Sequence, residues 1–500
     1  MSSSSENKTA EISSIIEAAE LEELSQYDPY ALPPDAIREP PKTLWEALRQ
    51  TGPGIVLAGT IVGSGELILT TAIGARHGFV FLWLIIFSCV IKVFVQVELG
   101  RYAISSGRPT LGALQSISPF RAVGNVLLVW WLLMMLCTVF QLGGMIGGVS
   151  QSMLAATPQF SRSSIDTVSP LIGVCGEWLS QRPEMLWAFA TCLVTIAIVF
   201  NGSYRRLEGI TTVLVIGLTL ITVIATLALN FTNYAPKASD ILEGLMFKIP
   251  NSGIAEAFAV FGITGVGATE LFYYPYWCLE KGYARYTGLD DGTPEWKKRA
   301  QGWIRVMMLD AWTSMIVFTV STIAFYFMGA AVLKPQGMVP QGSQMITTLA
   351  EMFKGPYGAW TEVLFLVGAG VVLFKTLYLS CAANSRMTVD FLALMNFVRV
   401  PDAKIRAKYI SWFCILFPIG ALLLYILQRD PQLMVKLGGM AQAATLPMMA
   451  SATLYFRYFK VDPRLQPGKL TSILLWVAWL SIVAVAAYAI PDQVSKLWPK

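Results

Sequence analysis

The stretch Gly59-Thr60-Ile61-Val62-Gly63-Ser64-Gly65-Glu66-Leu67 lies inside a long apolar segment and carries a single acid. A second apolar segment repeats its features in Gly262-Ile263-Thr264-Gly265-Val266-Gly267-Ala268-Thr269-Glu270-Leu271. An ionisable side chain in hydrocarbon is costly, which marks each glutamate as a functional candidate. The glycines beside it predict a locally unwound helix. Two interrupted helices in corresponding positions are the sequence mark of a transporter's binding site. The chain therefore reads as an all-α polytopic membrane protein organised around two broken helices.

Composition agrees. Of the 500 residues 55% are hydrophobic and 14% charged, against roughly 25% charged in soluble domains. Apolar segments of about 20 residues, long enough to span a bilayer, lie near 52–74, 79–103, 124–150, 186–201, 209–231, 254–279, 304–329, 359–382, 409–428, 432–456 and 470–490. This predicts about eleven spans, the fourth short and the sixth broken. The net charge of +5 follows from basic loops and calls for no nucleic-acid partner. Loops on the N-terminal side of the membrane carry roughly twice as many Lys and Arg as the opposite loops, placing the N-terminus in the cytoplasm and the C-terminus outside. Residues 1–50 contain no secretory signal and are expected to form a partly disordered tail, with Ile12–Leu24 as a short amphipathic helix. Residues 51–500 form the transporter domain, in a cell (inner or plasma) membrane. Within it, 51–232 and 252–456 are two five-span sets of opposite topology, and 470–490 is an extra helix.

The cysteines show no CxxC pair and His77 is the single histidine. That argues against a Cys/His metal cluster. With no Walker motif, zinc-ligand pair or Ser-His-Asp set, the chain is expected to be no enzyme, to need no cofactor and not to be driven directly by ATP.

Unwinding a helix in mid-membrane frees backbone groups, which are tolerated only where they line a cavity. Freed carbonyls plus a carboxylate are hard oxygen ligands for a partly dehydrated cation. A carboxyl can also carry a proton in its place. The alternative is that Glu66 and Glu270 only lock helix packing. Lys92 and Lys375 are intramembrane bases that either pair with Glu98, Glu66 or Glu270 or snorkel to an interface. Asp310 reads as an interfacial anchor. Gln141 and Gln442 either face a central cavity or bond between helices. The run Phe272-Tyr273-Tyr274-Pro275-Tyr276-Trp277 suits a gate, a cation-facing wall or simple packing.

Several motifs resemble the Nramp (natural resistance-associated macrophage protein) divalent-metal transporters. They are Gly52-Pro53-Gly54, Gly74-Ala75-Arg76-His77-Gly78-Phe79, Leu82-Trp83, Gly267-Ala268-Thr269, and Ala382-Ala383-Asn384 with Met387 and Asp390-Phe391-Leu392. The resemblance implies a leucine-transporter-type fold: two inverted five-helix repeats plus an added helix, with helices 1 and 6 broken. It also implies proton-linked metal uptake, a symport. Its departures fall on the site. The family's Asp-Pro-Gly-Asn reads Gly63-Ser64-Gly65-Glu66 here, and its Met-Pro-His-Asn reads Leu271-Phe272-Tyr273-Tyr274. Its carbonyl ligands fall on Thr60 and Ala268, and Gln442 resembles its span-ten glutamine.

The expected metal ligands are Glu66, Glu270, Thr60 and Ala268. Gly63, Gly65, Gly267, Leu271, Tyr273 and Gln442 are gate or cavity residues, and Lys92 and Lys375 are proton or ion-pair groups. An all-oxygen site favours Mn²⁺, Mg²⁺ or Ca²⁺ over softer ions. Two other readings stay open: an amine or amino acid caged by Tyr273 and Trp277, and a non-transporting sensor.

Overall fold

Helices begin where the sequence supplies a first-turn proline or a capping oxygen. Pro53, Pro294 and Pro431 each open a helix. The Thr293 hydroxyl accepts from Trp296 N at 3.2 Å, and the Asp402 and Asp430 carboxylates accept from Ile405 N at 2.8 Å and Leu433 N at 3.1 Å. The computed structural model describes residues 28–117, 121–171, 174–200, 204–248 and 253–497. Every expected span is helical. Span one is Pro53–Ile61, Gly65–Thr70 and Thr71–His77, and span six is Ile254–Ile263 and Ala268–Lys281. Spans two to five are Leu82–Ser106, Arg121–Ala156, Glu184–Val199 and Tyr204–Ala228. Spans seven to eleven are Pro294–Met328, Trp360–Leu394, Ala403–Leu427, Pro431–Phe459 and Lys469–Leu497. Among the described residues, 8 of these helices are long and apolar enough to cross a membrane, by length and composition. Among the others, the fourth is short, and the tenth carries the polar side chains of the site.

The broken helices form the axis of the bundle. The most apolar windows of spans one and six are 94% and 100% buried, whereas those of spans nine and eleven are 33% and 28% buried and lie at the periphery. Each broken span stops after a similar length, 9 residues in Pro53–Ile61 and 10 in Ile254–Ile263.

The expected tail divides in two. Ile12–Leu24 lies outside the described residues, but residues 28–43 form a strap across one end of the bundle. Arg285 donates to Pro29 O at 2.9 Å, Arg38 N donates to Tyr286 O at 3.0 Å, and Trp303 Nε1 donates to Arg38 O at 2.9 Å. Tyr30 is buried, edge-on to Tyr276 with centroids 5.9 Å apart. Its hydroxyl accepts from Arg406 at 3.0 Å, and the same nitrogen reaches Asp390 at 3.0 Å. Tyr30→Ala removes this anchor. Hydrogen exchange of residues 28–43 is expected to rise at least about tenfold, while the spans keep their protection.

Asp310 is a buried partner of span one rather than an interfacial anchor. Its carboxylate accepts from Gly52 N at 2.9 Å and Gly54 N at 2.5 Å. A helix N-terminus has unpaired amides and a positive dipole end, and a carboxylate from another helix answers both.

Candidate functional site at the two helix breaks

The first break follows Ile61. Val62 leaves the helix at ψ 80, and after Gly63 and Ser64 the chain resumes as a π-helix, Gly65–Thr70. Threonine hydroxyls serve the widened turns: Thr70 Oγ1 donates to Gly65 O at 3.1 Å and Thr71 Oγ1 to Glu66 O at 3.2 Å. Such segments are rare and concentrate at functional sites. Gly63 is required by close approach, because a Cβ there would fall on the Thr376 side chain of span eight. Glu66 is fully buried. Its carboxylate accepts from Gly63 N at 3.3 Å and lies 3.4 Å from Thr322 Oγ1 of span seven, a hydroxyl that also reaches Phe318 O at 2.7 Å.

The second break is a turn. Thr264 is extended at ψ 130, and Gly265 takes a left-handed φ of 66. A side chain at Gly265 would be strained, and its Cβ would sit 2.8 Å from Cys89 Cα. Glu270 lies in the first turn of the half that follows and is buried. Thr60 belongs to the last turn of its half-helix, where carbonyls run out of partners. Ala268 instead opens its half, where amides rather than carbonyls are freed.

The carbonyls freed at both breaks are held by lysines. Lys92 Nζ donates to Phe261 O at 2.7 Å and Thr264 O at 2.5 Å, and Lys375 Nζ donates to Val62 O at 2.6 Å. Both lysines are fully buried. Their hydrogen bonds thus go to carbonyls, and Glu98 pairs with Arg101 at 3.1 Å and Arg457 at 3.8 Å.

A chain of side chains joins the two breaks. Gln141 Nε2 of span three donates to Ser64 Oγ at 3.2 Å, and Gln442 Nε2 of span ten donates to Gln141 Oε1 at 2.8 Å. Thr269 Oγ1 lies 2.8 Å from both Gln442 Oε1 and Glu270 Oε2. One hydroxyl hydrogen serves only one of these oxygens. Either Glu270 brings a proton of its own, or both glutamine amides turn over and the chain reverses its polarity, giving up the bond that Gln442 Oε1 accepts from Thr269 N at 3.4 Å. The protonation of an acid at one break is thereby linked to the donor pattern at the other.

The aromatic run is a packed wall. Tyr273 OH donates to Asn384 Oδ1 at 2.9 Å, Tyr274 OH to Met307 O at 3.2 Å, and Arg386 lies over the Trp277 ring at 5.5 Å. Leu271 is buried among them, and Gly65 and Gly267 sit against Ile263 and Gln442. Facing the second half of span one, the first half of span six and the start of span ten is a cavity of about 210 Å³ lined by Arg76, Glu256, Asp430 and Lys436. Glu256 pairs there with Arg76 and lies 3.2 Å from His77 Nε2 and 3.9 Å from Lys436.

The family model for natural resistance-associated macrophage protein-like (Nramp) proteins matches residues 54–492. The chain belongs to the Nramp family. No curated protein matches it. Among solved structures it is similar to the manganese transporter of Eremococcus coleocola in complex with an aromatic bis-isothiourea substituted compound. There the identity is 13%, with 93% of this chain and 90% of that one covered and a TM-score of 0.64. It is also similar to Mhp1, a nucleobase-cation-symport-1 family transporter, in a closed conformation with bromovinylhydantoin bound. That match has 14% identity, covers 95% and 97% of the two chains and has a TM-score of 0.55. At these identities the likeness is one of fold, the leucine-transporter-type bundle with helices 1 and 6 broken.

Against the Nramp motifs, the structure brings Glu66, Glu270 and Gln442 to the breaks and leaves no room for a side chain at Gly63. Sequence reasoning quoted Ser64, Thr269 and Asn384 only as motif members without a role, and it missed Ser88, Thr322 and Thr376. The one signal of the last three is a small polar residue inside an apolar segment, which is common at helix contacts.

Proposed function

We propose that this Nramp member is a secondary active transporter moving a divalent cation, with protons as the coupling ion. The observation that carries the reading is the pair of buried carboxylates, Glu66 and Glu270. One stands at each helix break, and Thr269, Gln442, Gln141 and Ser64 connect Glu270 to the break that holds Glu66. Among the described residues no trio of His, Cys, Asp or Glu converges. A bound ion would therefore rely on two carboxylates and neutral oxygens such as Gln442 Oε1, Thr269 Oγ1 and the Thr60 carbonyl. That donor set suits Mn²⁺, Mg²⁺ and Ca²⁺ better than softer ions. The fold shared with a manganese transporter supports a metal as cargo. The two-way polarity of the glutamine chain supports protons as the partner ion. We place the strap side in the cytoplasm, on the weight of Lys and Arg in its loops. The charged cavity beside Arg76 and Glu256 would then be the outer entrance. Caging of an amine gains little support from Trp277, whose face is covered by Arg386.

The test is uptake of Mn²⁺, Mg²⁺ and Ca²⁺ into liposomes holding the purified full chain. Saturable uptake of at least one ion, faster with an imposed proton gradient, is the expected result. Absence of uptake for all three, with folded protein in the membrane, removes the divalent-cation reading.

A further inference from the structure

Both helix breaks already hold a basic group, and it is part of the chain. The last carbonyls of a helix lack intrahelical partners and form the negative end of its dipole, so an interrupted helix presents oxygens that attract positive charge. At span six the cradle is Phe261 O and Thr264 O, with Ser88 Oγ 3.3 and 3.1 Å from them, and Lys92 Nζ binds both carbonyls. At span one it is Val62 O, held by Lys375 Nζ. Beside it Thr376 Oγ1 donates to Gly59 O at 3.2 Å. The arrangement is reciprocal: span two supplies the ammonium for span six, and span eight supplies the one for span one. Each lysine is fully buried, so its head is committed to these oxygens rather than reaching an interface. When all four groups are ionised, two ammoniums also balance the charges of Glu66 and Glu270.

We propose that Lys92 and Lys375 are tethered cations. Each takes the place of a diffusible monovalent ion at a helix break, so the carrier needs no Na⁺ or K⁺ as co-ion, and removing the ammonium opens a cradle that Na⁺ fills. The statement about co-ions rests on the transport reading above; the statement about the cradles does not.

The experiment follows thermal unfolding of the purified full chain in NaCl, KCl and choline chloride at equal ionic strength. The wild type is expected to unfold at the same temperature in all three. Lys92→Ala is expected to be less stable in choline and to recover in NaCl saturably, by about 2 °C or more once Na⁺ exceeds its dissociation constant roughly tenfold. Lys92→Arg keeps a charge in place and should show no sodium response. Lys375→Ala is read the same way at the other break. Saturable stabilisation of the wild type by Na⁺, or alanine variants equally weak in every salt, would overturn the proposal. So would failure of both alanine variants to fold even in NaCl. Because unfolding rather than flux is read, a protein that moves no divalent ion would sink the transport reading and leave this test intact.

Discussion

Glu66→Gln is expected to lower divalent-cation uptake at least about 100-fold while leaving the protein folded. The structure accommodates the amide. Its oxygen can accept from Gly63 N, and its NH₂ can donate to Thr322 Oγ1, whose own hydrogen already reaches Phe318 O at 2.7 Å. Both existing contacts of the carboxylate are kept, so the penalty for unpaired polar groups is confined to the second amide hydrogen. What the substitution removes is charge. Two unit charges 4 Å apart interact by about 4 kcal/mol at an effective dielectric of 20, and a comparable loss against a dication is about 1,000-fold in affinity. Uptake and unfolding temperature measured on the same preparation decide the matter. Flux lost with the unfolding temperature unchanged assigns Glu66 to the cargo. Flux retained returns Glu66 to a packing role, however well the protein folds.

The spans were legible because about 20 apolar residues in a row have few other uses. Both breaks were legible because glycines beside an intramembrane acid make little sense in a continuous helix. What sat on the breaks was harder to read. Lys92 meets carbonyls 169 and 172 positions away and Lys375 one 313 positions away. A backbone oxygen carries no residue-type signal, so a carboxylate looked the natural partner. The π-helical turns of Gly65–Thr70 and Gly329–Leu333 shift the register by one residue, which uniformly apolar sequence does not record. The carbonyl expected from Ala268 illustrates the same limit. The residue matches a family motif, but whether it ends one half-helix or begins the next depends on where the turn falls. The strap was obscured by its prolines and acids, which resemble a loose tail until Tyr30 is seen between Tyr276 and Arg406.

Gly63→Ala should be the most damaging small substitution in the first break. The added Cβ would fall on Thr376 Oγ1 and stand 2.8 Å from Thr376 Cβ and 2.9 Å from its Cγ2. Thr376 cannot simply turn away at no cost, because its hydroxyl bonds Gly59 O at 3.2 Å and Val372 O at 3.1 Å. Spans one and eight must separate, which also lengthens the bond from Lys375 to Val62 O. Overpacking of this kind costs about 1–3 kcal/mol, and because the strain lies one turn from Glu66, uptake should fall by more than stability. Thr376→Ala removes the two outer atoms but leaves Cβ, so the double variant should recover part of both losses. The coupling between the two sites, read from unfolding of the single and double variants, should be clearly non-zero. Gly63→Asp, which restores the aspartate of the Nramp pattern, should be worse than Gly63→Ala in the wild-type background, since a larger side chain meets the same obstruction. An active Gly63→Asp protein with Thr376 intact would show that span eight yields easily, and that close packing is not what excludes the family's aspartate from this site.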